Sequence, residues 1–172
     1  MRLIPTPVAT QLTGLSTDKL REWTSRRALV PADVRPKQKG SPAQFTWQTT
    51  LILRIAVLLR DQFAVELQSY KLTFANLRKE LRATSFVRLW GCSVALGPYG
   101  KCFVMNEKAQ QLEMDALVVH LDPHLTVIRD GFALKDPAAV PGQFDLFSLP
   151  ALHKKSEAAS TKTLKGSRRR SA

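Results

Sequence analysis

The chain has 172 residues, of which 44% are hydrophobic and 23% are charged, and its formal net charge is +12. This length is enough for one medium-sized domain or two small ones. No run approaches the ~18 apolar residues of a membrane span, the N-terminal segment lacks a secretory signal pattern, and two cysteines are too few for a disulfide-rich secreted fold. We therefore expect a cytoplasmic protein with no membrane partner.

The basic residues lie mainly towards the two ends of the chain. Residues 1–83 carry 14 basic and 6 acidic side chains, residues 84–150 carry 5 and 7, and residues 151–172 carry 7 and 1. Clustered Lys and Arg favour a polyanionic partner, because they release the cations condensed on phosphates. The distribution predicts a polyanion-binding N-terminal part, a central part with another role, and a cationic C-terminal arm around Arg168–Arg170.

Residues 8–31 predict two short helices joined by a sharp turn. The first helix spans roughly Pro7–Thr13, and Gly14 after it can adopt the positive φ that such a turn requires. Ser16 or Thr17 can cap the next helix by accepting a backbone N–H hydrogen bond. A helix pair of this kind is typical of proteins that insert the second helix into a DNA groove.

The second helix is predicted to continue to about Arg27, with Leu20 and Trp23 facing inward and polar and basic side chains on its free face. Residues 32–44 are rich in Pro, Gly, Lys and Arg, which predicts an exposed loop between two short strands, called a wing. Phe45 anchors the return of this loop. Packing in the core, rather than stacking on bases, is expected of Trp23 and Phe45.

Two further helices are predicted after the loop. Thr46 can cap a strongly apolar helix over Gln48–Arg60, and Phe63–Ser69 is expected to extend that helix. Thr73 can cap a last short helix over Phe74–Arg82, in which the apolar residues recur at helical spacing.

Residues 84–150 change to a pattern that indicates a small mixed or β-rich unit. The predicted elements are strands over Phe86–Trp90, Cys92–Leu96, Lys101–Met105, Ala116–Leu121 and Leu125–Arg129, and a short helix over Asn106–Met114.

Two groups of side chains in this part have recognisable chemistry. Cys92 and Cys102 flank a predicted turn and are expected to be small buried residues, with a redox pair across the hairpin as the alternative. His120, Asp122 and His124 lack regular ligand spacing and a third ligand group, so we predict no metal site.

The N-terminal part resembles the DNA-binding domain of the MerR (mercury-resistance regulator) family. The resemblance is carried by Leu12–Ser16, Leu20–Trp23, Arg26–Pro31, Phe45-Thr46 and Lys71–Leu81. It covers about residues 7–82 and implies a winged helix-turn-helix that binds double-stranded DNA as a homodimer on a two-fold symmetric site.

The predicted DNA contacts follow from the position of each side chain on this unit. The N-terminal end of the second helix reaches base edges, its far end meets phosphates, and the wing cations straddle the backbone or enter the minor groove. Ala43 stands where the family usually has a phosphate-contacting arginine, and a wing cation can replace it. The predicted contact residues are Thr17, Asp18, Lys19, Arg21, Arg26, Arg27, Arg35, Lys37 and Lys39.

The predicted fold class is α+β with three parts. A mostly helical winged helix-turn-helix domain occupies residues 5–82, a small β-rich α+β domain occupies residues 84–150, and a basic disordered tail occupies residues 151–172. The middle domain is expected to dimerise, sense a signal or bind a protein partner.

The leading hypothesis is a sequence-specific transcriptional regulator that is nucleoid-associated in the cytoplasm. The sequence lacks a Gly-rich phosphate loop, a nucleophile elbow and a paired metal motif, so we expect neither an enzyme nor a cofactor. One alternative is an architectural DNA-binding factor resembling phage excisionases. Another is an antitoxin-like or adaptor protein that binds a partner through residues 84–150.

Overall fold

The computed structural model describes residues 2–36, 38, 41–106 and 114–134. These residues form a mixed α and β fold with two small antiparallel sheets, in agreement with the predicted α+β class. Most of the helix predicted over Asn106–Met114, namely residues 107–113, lies outside the described residues, as do the C-terminal tail, Lys37 and Lys39, whereas Asn106 itself lies in a strand. The helices are α1 (Thr6–Thr13), α2 (Thr17–Arg21), α3 (Trp47–Phe63), α4 (Lys71–Ala83) and α5 (Asp122–Phe132), and the strands are β1 (Ile4–Pro5), β2 (Gln44–Phe45), β3 (Cys92–Leu96), β4 (Cys102–Asn106) and β5 (Leu117–His120).

The turn between α1 and α2 forms as its residues predict. Gly14 has a φ of 76°, and its N–H donates to the Thr10 carbonyl at 2.9 Å. The Ser16 hydroxyl accepts from the Lys19 N–H at 3.3 Å and so caps α2. Leu15 is buried between the two helices. The α1–turn–α2 pair is therefore fixed by local interactions.

The loop between α2 and α3 is anchored at its base. Strand β1 pairs with β2, so that Ile4 lies opposite Phe45, and Val34 bridges to Gln44. The Thr46 backbone N–H donates to the Asp33 carboxylate at 2.8 Å. These contacts hold both ends of the loop against the body of the protein.

The predicted extension of the third helix over residues 63–69 is wrong. Helix α3 ends at Phe63, Ala64 adopts a left-handed conformation with a φ of 50°, and a 3₁₀ turn over Leu67–Tyr70 leads into α4. Leu67, in this 3₁₀ turn, is buried in the core. Thr73 lies inside α4 rather than at its cap.

The second sheet is antiparallel in the order β4–β3–β5, with Val94 opposite Val104 and Val119. Cys92 lies opposite Asn106 and Cys102 opposite Leu96, which separates the two cysteines by roughly 13 Å along the ladder. Neither cysteine forms a disulfide, and this separation excludes the redox pair across the hairpin.

Two predicted strands are helical instead. Phe86–Leu89 forms a 3₁₀ turn, in which the buried residues are three positions apart rather than alternating. The segment predicted as a strand over Leu125–Arg129 lies within α5, where Pro123 occupies the first turn. Leu125, Ile128 and Phe132 are fully buried at helical spacing. Burial of this face decides the conformation.

Helix α5 joins the N-terminal helices in one hydrophobic core. It packs against α1 and α3, and its apolar residues belong to the same buried cluster as theirs. The contact with α1 is close, because a Cβ at Gly131 would lie 2.4 Å from a methyl carbon of Leu12. The predicted boundary between residues 82 and 84 therefore marks a change from helix to sheet within one packed unit.

Candidate nucleic-acid interface

A cleft of about 380 Å³ separates α2 from the loop that follows it. Thr17, Arg21 and Ser25, spaced four residues apart, form an exposed stripe along one side of this cleft. The opposite side is formed by loop residues that include Pro36 and Pro42. Arg21 is thus the central side chain of a polar stripe that faces a proline-stiffened loop.

The buried face of α2 fixes the direction of this stripe. Leu20, Trp23 and Thr24 are buried, and the Thr24 hydroxyl donates to the Leu20 carbonyl at 2.8 Å. The guanidinium of Arg60, on α3, lies 4.9 Å from the centre of the Trp23 ring. These contacts leave α2 little freedom to rotate, so its outward face is set by packing.

The C-terminal end of α2 widens into one π-helical turn over Glu22–Arg26. The Arg27 N–H donates to the Glu22 carbonyl at 2.8 Å, and Ala28 then adopts a φ of 47°. This left-handed conformation ends the helix and directs the chain into the loop. Arg26 and Arg27 remain exposed at this end.

Glu22 holds two of the predicted contact cations. Its carboxylate accepts a hydrogen bond from Lys19 Nζ at 3.0 Å and forms an ion pair with Arg27, whose Nε lies 2.8 Å away. The hydrogen bond from Lys19 and the neighbouring positive charges hold the pKa of Glu22 below its usual range. Glu22 therefore stays ionised and partly neutralises this surface at neutral pH.

The predicted contact residues that fall within the described part of the chain are all exposed: Thr17, Asp18, Lys19, Arg21, Arg26, Arg27 and Arg35. Only Thr17 and Arg21 line the cleft, whereas Arg26 and Arg27 lie at the far end of the helix. Sequence reasoning missed Ser25, although its spacing from Arg21 was a signal. It also missed Lys71, whose Nζ donates to the Arg27 carbonyl at 3.3 Å and adds a cation there.

The large aromatic residues near these cations do not form a stacking surface. Trp23, Phe45 and Trp47 are buried, as predicted for the first two. Trp47 packs edge-to-face against Phe86, with ring centroids 5.2 Å apart. Any nucleic-acid contact at this surface therefore depends on polar and charged side chains.

The residues considered for a metal site are separately engaged. The His120 Nδ1 lies 3.0 Å from the Ser93 hydroxyl, and the Asp122 carboxylate accepts from the Gly91 N–H at 2.8 Å. Among the described residues, no group of three His, Cys, Asp or Glu could hold a metal ion. In the same part of the chain, no helix combines the length and apolarity needed to cross a membrane.

Comparison with known proteins gives no family. No protein-family model, curated protein or solved structure matches this chain. The resemblance to the MerR family remains a prediction, and the geometry of the α2 surface is the observation that bears on function.

Proposed function

We propose that α1, α2 and the following loop form a winged helix-turn-helix, and that the protein is a sequence-specific DNA-binding transcriptional regulator that acts as a homodimer. The observation that carries this proposal is the position of Arg21. It is exposed in the middle of a polar helical stripe, it faces the loop, and within the described residues it forms no ion pair.

The dimensions of α2 support insertion into the major groove. The helix and its π turn together span ten residues, Thr17–Arg26, or roughly 15 Å. The major groove of B-form DNA is about 12 Å wide and admits one helix. Arg21 can then donate two hydrogen bonds to a guanine edge, while Thr17 and Ser25 contact neighbouring bases.

The remaining cations suit the phosphate backbone. Arg26, Arg27 and Lys71 cluster at the end of α2, and the exposed Arg35 lies in the loop. Such contacts fix the register of a protein on DNA without reading its sequence. We therefore assign base contacts to Arg21 and backbone contacts to the cations on either side of it.

The deciding experiment compares two variants on DNA sequences selected from a random duplex library. We expect the Lys19→Ala/Arg21→Ala double variant to bind its preferred site 10- to 100-fold more weakly, because a bidentate base contact contributes about 1–3 kcal/mol of discrimination. The matched control is Arg88→Ala, which removes an exposed arginine outside α2 and the loop. Equal footprints for the wild type and the double variant would refute the assignment of α2.

Genome-wide mapping of binding sites separates regulator from architectural factor. Occupancy confined to a few promoters supports the regulator, and the spacing of paired half-sites reports the dimer. Dense occupancy accompanied by DNA bending supports the excisionase-like alternative.

Neutralising Glu22 should have the opposite effect on affinity. In the Glu22→Gln variant, Lys19 and Arg27 lose their carboxylate partner and become available to phosphates. We expect DNA affinity to rise about threefold and to depend more steeply on salt concentration. Glu80→Gln, which neutralises an exposed carboxylate on α4, is the control for net charge. Identical affinity gains in the two variants would argue against a specific role for Glu22.

A further inference from the structure

A second cavity, of about 210 Å³, lies where α1, α3 and α5 meet. Its lining combines polar and charged side chains with a small apolar wall. It includes Thr13 of α1, His124 of α5, and Arg54, Val57, Leu58 and Asp61 of α3. This cavity is separate from the cleft beside α2, because the two share no lining residue.

Arg54 lines this cavity and has no counter-ion among the described residues. Its Nη1 donates to the Leu12 carbonyl, but its Nε–H is buried and has no acceptor in that part of the chain. The nearby Asp61 carboxylate is engaged by its neighbour Arg60 at 2.5 Å. Burial lowers the pKa of Arg54, although the group stays charged. A partly buried guanidinium whose N–H donor has no acceptor lowers the stability of the folded protein.

His124 also lines this cavity, and one of its polar atoms is unmet. The side chain is only 8% exposed, and its buried Nδ1 has no hydrogen-bond partner among the described residues. Burial, together with the positive charge of Arg54, lowers the pKa of His124 to about 4. The imidazole is therefore neutral at physiological pH and can carry its single proton on Nδ1.

We propose that this cavity binds a small organic monocarboxylate, with Arg54 and His124 as its hydrogen-bond donors. Both donor atoms are buried in this structure, so small side-chain rotations bring the Nε–H of Arg54 and the Nδ1–H of His124 to the carboxylate, while Val57 and Leu58 contact its apolar part. A carboxylate matches the planar edge of a guanidinium, which offers Nε–H and an Nη2–H on the same side. Asp61 at the rim disfavours a doubly charged anion such as phosphate.

The site also contacts the proposed DNA-binding unit. Arg54 bonds to the carbonyl of Leu12, two residues before the Gly14 turn that leads into α2. A bound carboxylate that attracts the guanidinium towards His124 alters the hydrogen bond from Arg54 to the Leu12 carbonyl, which holds α1. Ligand binding stands independently, whereas its coupling to DNA affinity depends on the proposed function.

The test is a titration of the full chain with sodium benzoate, using sodium chloride at equal ionic strength as the reference and sodium phosphate as a second arm. Binding is followed by calorimetry and by the NMR signal of the His124 imidazole. We expect a saturable benzoate response with a dissociation constant near 1 mM and a rise of at least one unit in the pKa of His124. The absence of any saturable change at His124 would overturn the proposal, and equal binding of phosphate would overturn the choice of a carboxylate.

Variants test which side chains bind benzoate, and DNA-binding measurements test whether benzoate binding is coupled to DNA affinity. Arg54→Gln should weaken benzoate binding at least tenfold, whereas the exposed-site control Arg88→Gln should leave it within twofold. If Arg54→Gln fails to fold, the benzoate titration of the wild type, followed at His124, still tests whether the cavity binds a carboxylate. If benzoate binds but leaves DNA affinity unchanged, the carboxylate site stands and its coupling to DNA binding is refuted. If benzoate binds but the protein binds no DNA, only the proposed function is refuted.

Discussion

Replacing Arg78 with methionine should lower the free energy of unfolding by about 3 kcal/mol, because it leaves a buried carboxylate without its cation. Arg78 Nη2 lies 2.5 Å from the Asp33 carboxylate, and the two side chains are only 15% and 11% exposed. The same guanidinium donates to the Pro31 carbonyl at 2.8 Å. Arg78 thereby ties α4 to the start of the loop that faces α2.

The measurement is urea-induced unfolding of Arg78→Met, Asp33→Asn and the double variant. We expect the double variant to be less destabilised than the two single variants together, since each single change leaves one partner unpaired. Arg82→Met, which alters an exposed arginine one turn further along α4, serves as the control. If Arg78→Met is no less stable than Arg82→Met, the pair does not anchor the loop.

The pH dependence of this anchor follows from Asp33. Burial alone would raise the pKa of Asp33, but hydrogen bonds from Thr46, Thr49 and Arg78 outweigh it and hold the pKa below the usual value of 3.8. The lowered pKa stabilises the fold at pH values above 3.8, and this contribution is lost as the pH falls through the folded-state pKa. At neutral pH the anchor is therefore at full strength.

Acidification from pH 6.5 to pH 4 should cost the protein about 3 kcal/mol through His124. The pKa of this histidine falls from 6.5 to about 4 on folding, so the unfolded chain binds a proton that the folded chain rejects. Stability therefore decreases as the pH falls through this window, and the contribution of His124 levels off once the pH is well below 4. Arg54, on α3, adds to the effect by repelling the imidazolium.

The measurement is chemical unfolding at several pH values for the wild type and His124→Leu. The variant should lose less stability than the wild type between pH 6.5 and pH 4, because it has no buried imidazole to protonate. His120→Gln, which removes the exposed histidine on β5, is the matched control for loss of a histidine. Equal slopes in the wild type and His124→Leu would contradict the assignment.

Local signals predict the N-terminal elements of the fold well. Gly14 and the caps at Ser16 and Thr46 act within a few residues of themselves, so the sequence alone is enough to locate them. The incorrect predictions concern segments whose conformation is determined by packing against distant parts of the chain. Residues 125–129 have a strand-like composition, yet the face that α5 buries against α1 and α3 makes the segment helical.

In the candidate sites, too, features set by local spacing could be predicted, whereas features set by tertiary contacts could not. The exposed face of α2 follows from helical spacing, and the residues predicted on α2 are indeed exposed. The ion pairs that hold Lys19 and Arg27 depend on side-chain geometry that spacing does not specify. The meeting of Arg54 with His124 depends on α5 folding back across 70 residues, and no local pattern predicts it.

The packing of α5 has a practical consequence for dissecting the protein. Phe132 is fully buried, and its carbonyl accepts from Arg2 at 2.6 Å, so the far end of α5 reaches back to the start of the chain. A fragment that stops at Arg82 would expose the hydrophobic faces of α1 and α3 that α5 covers, and these are the helices that orient α2. The smallest fragment that keeps this core intact should therefore extend from Arg2 to at least Leu134.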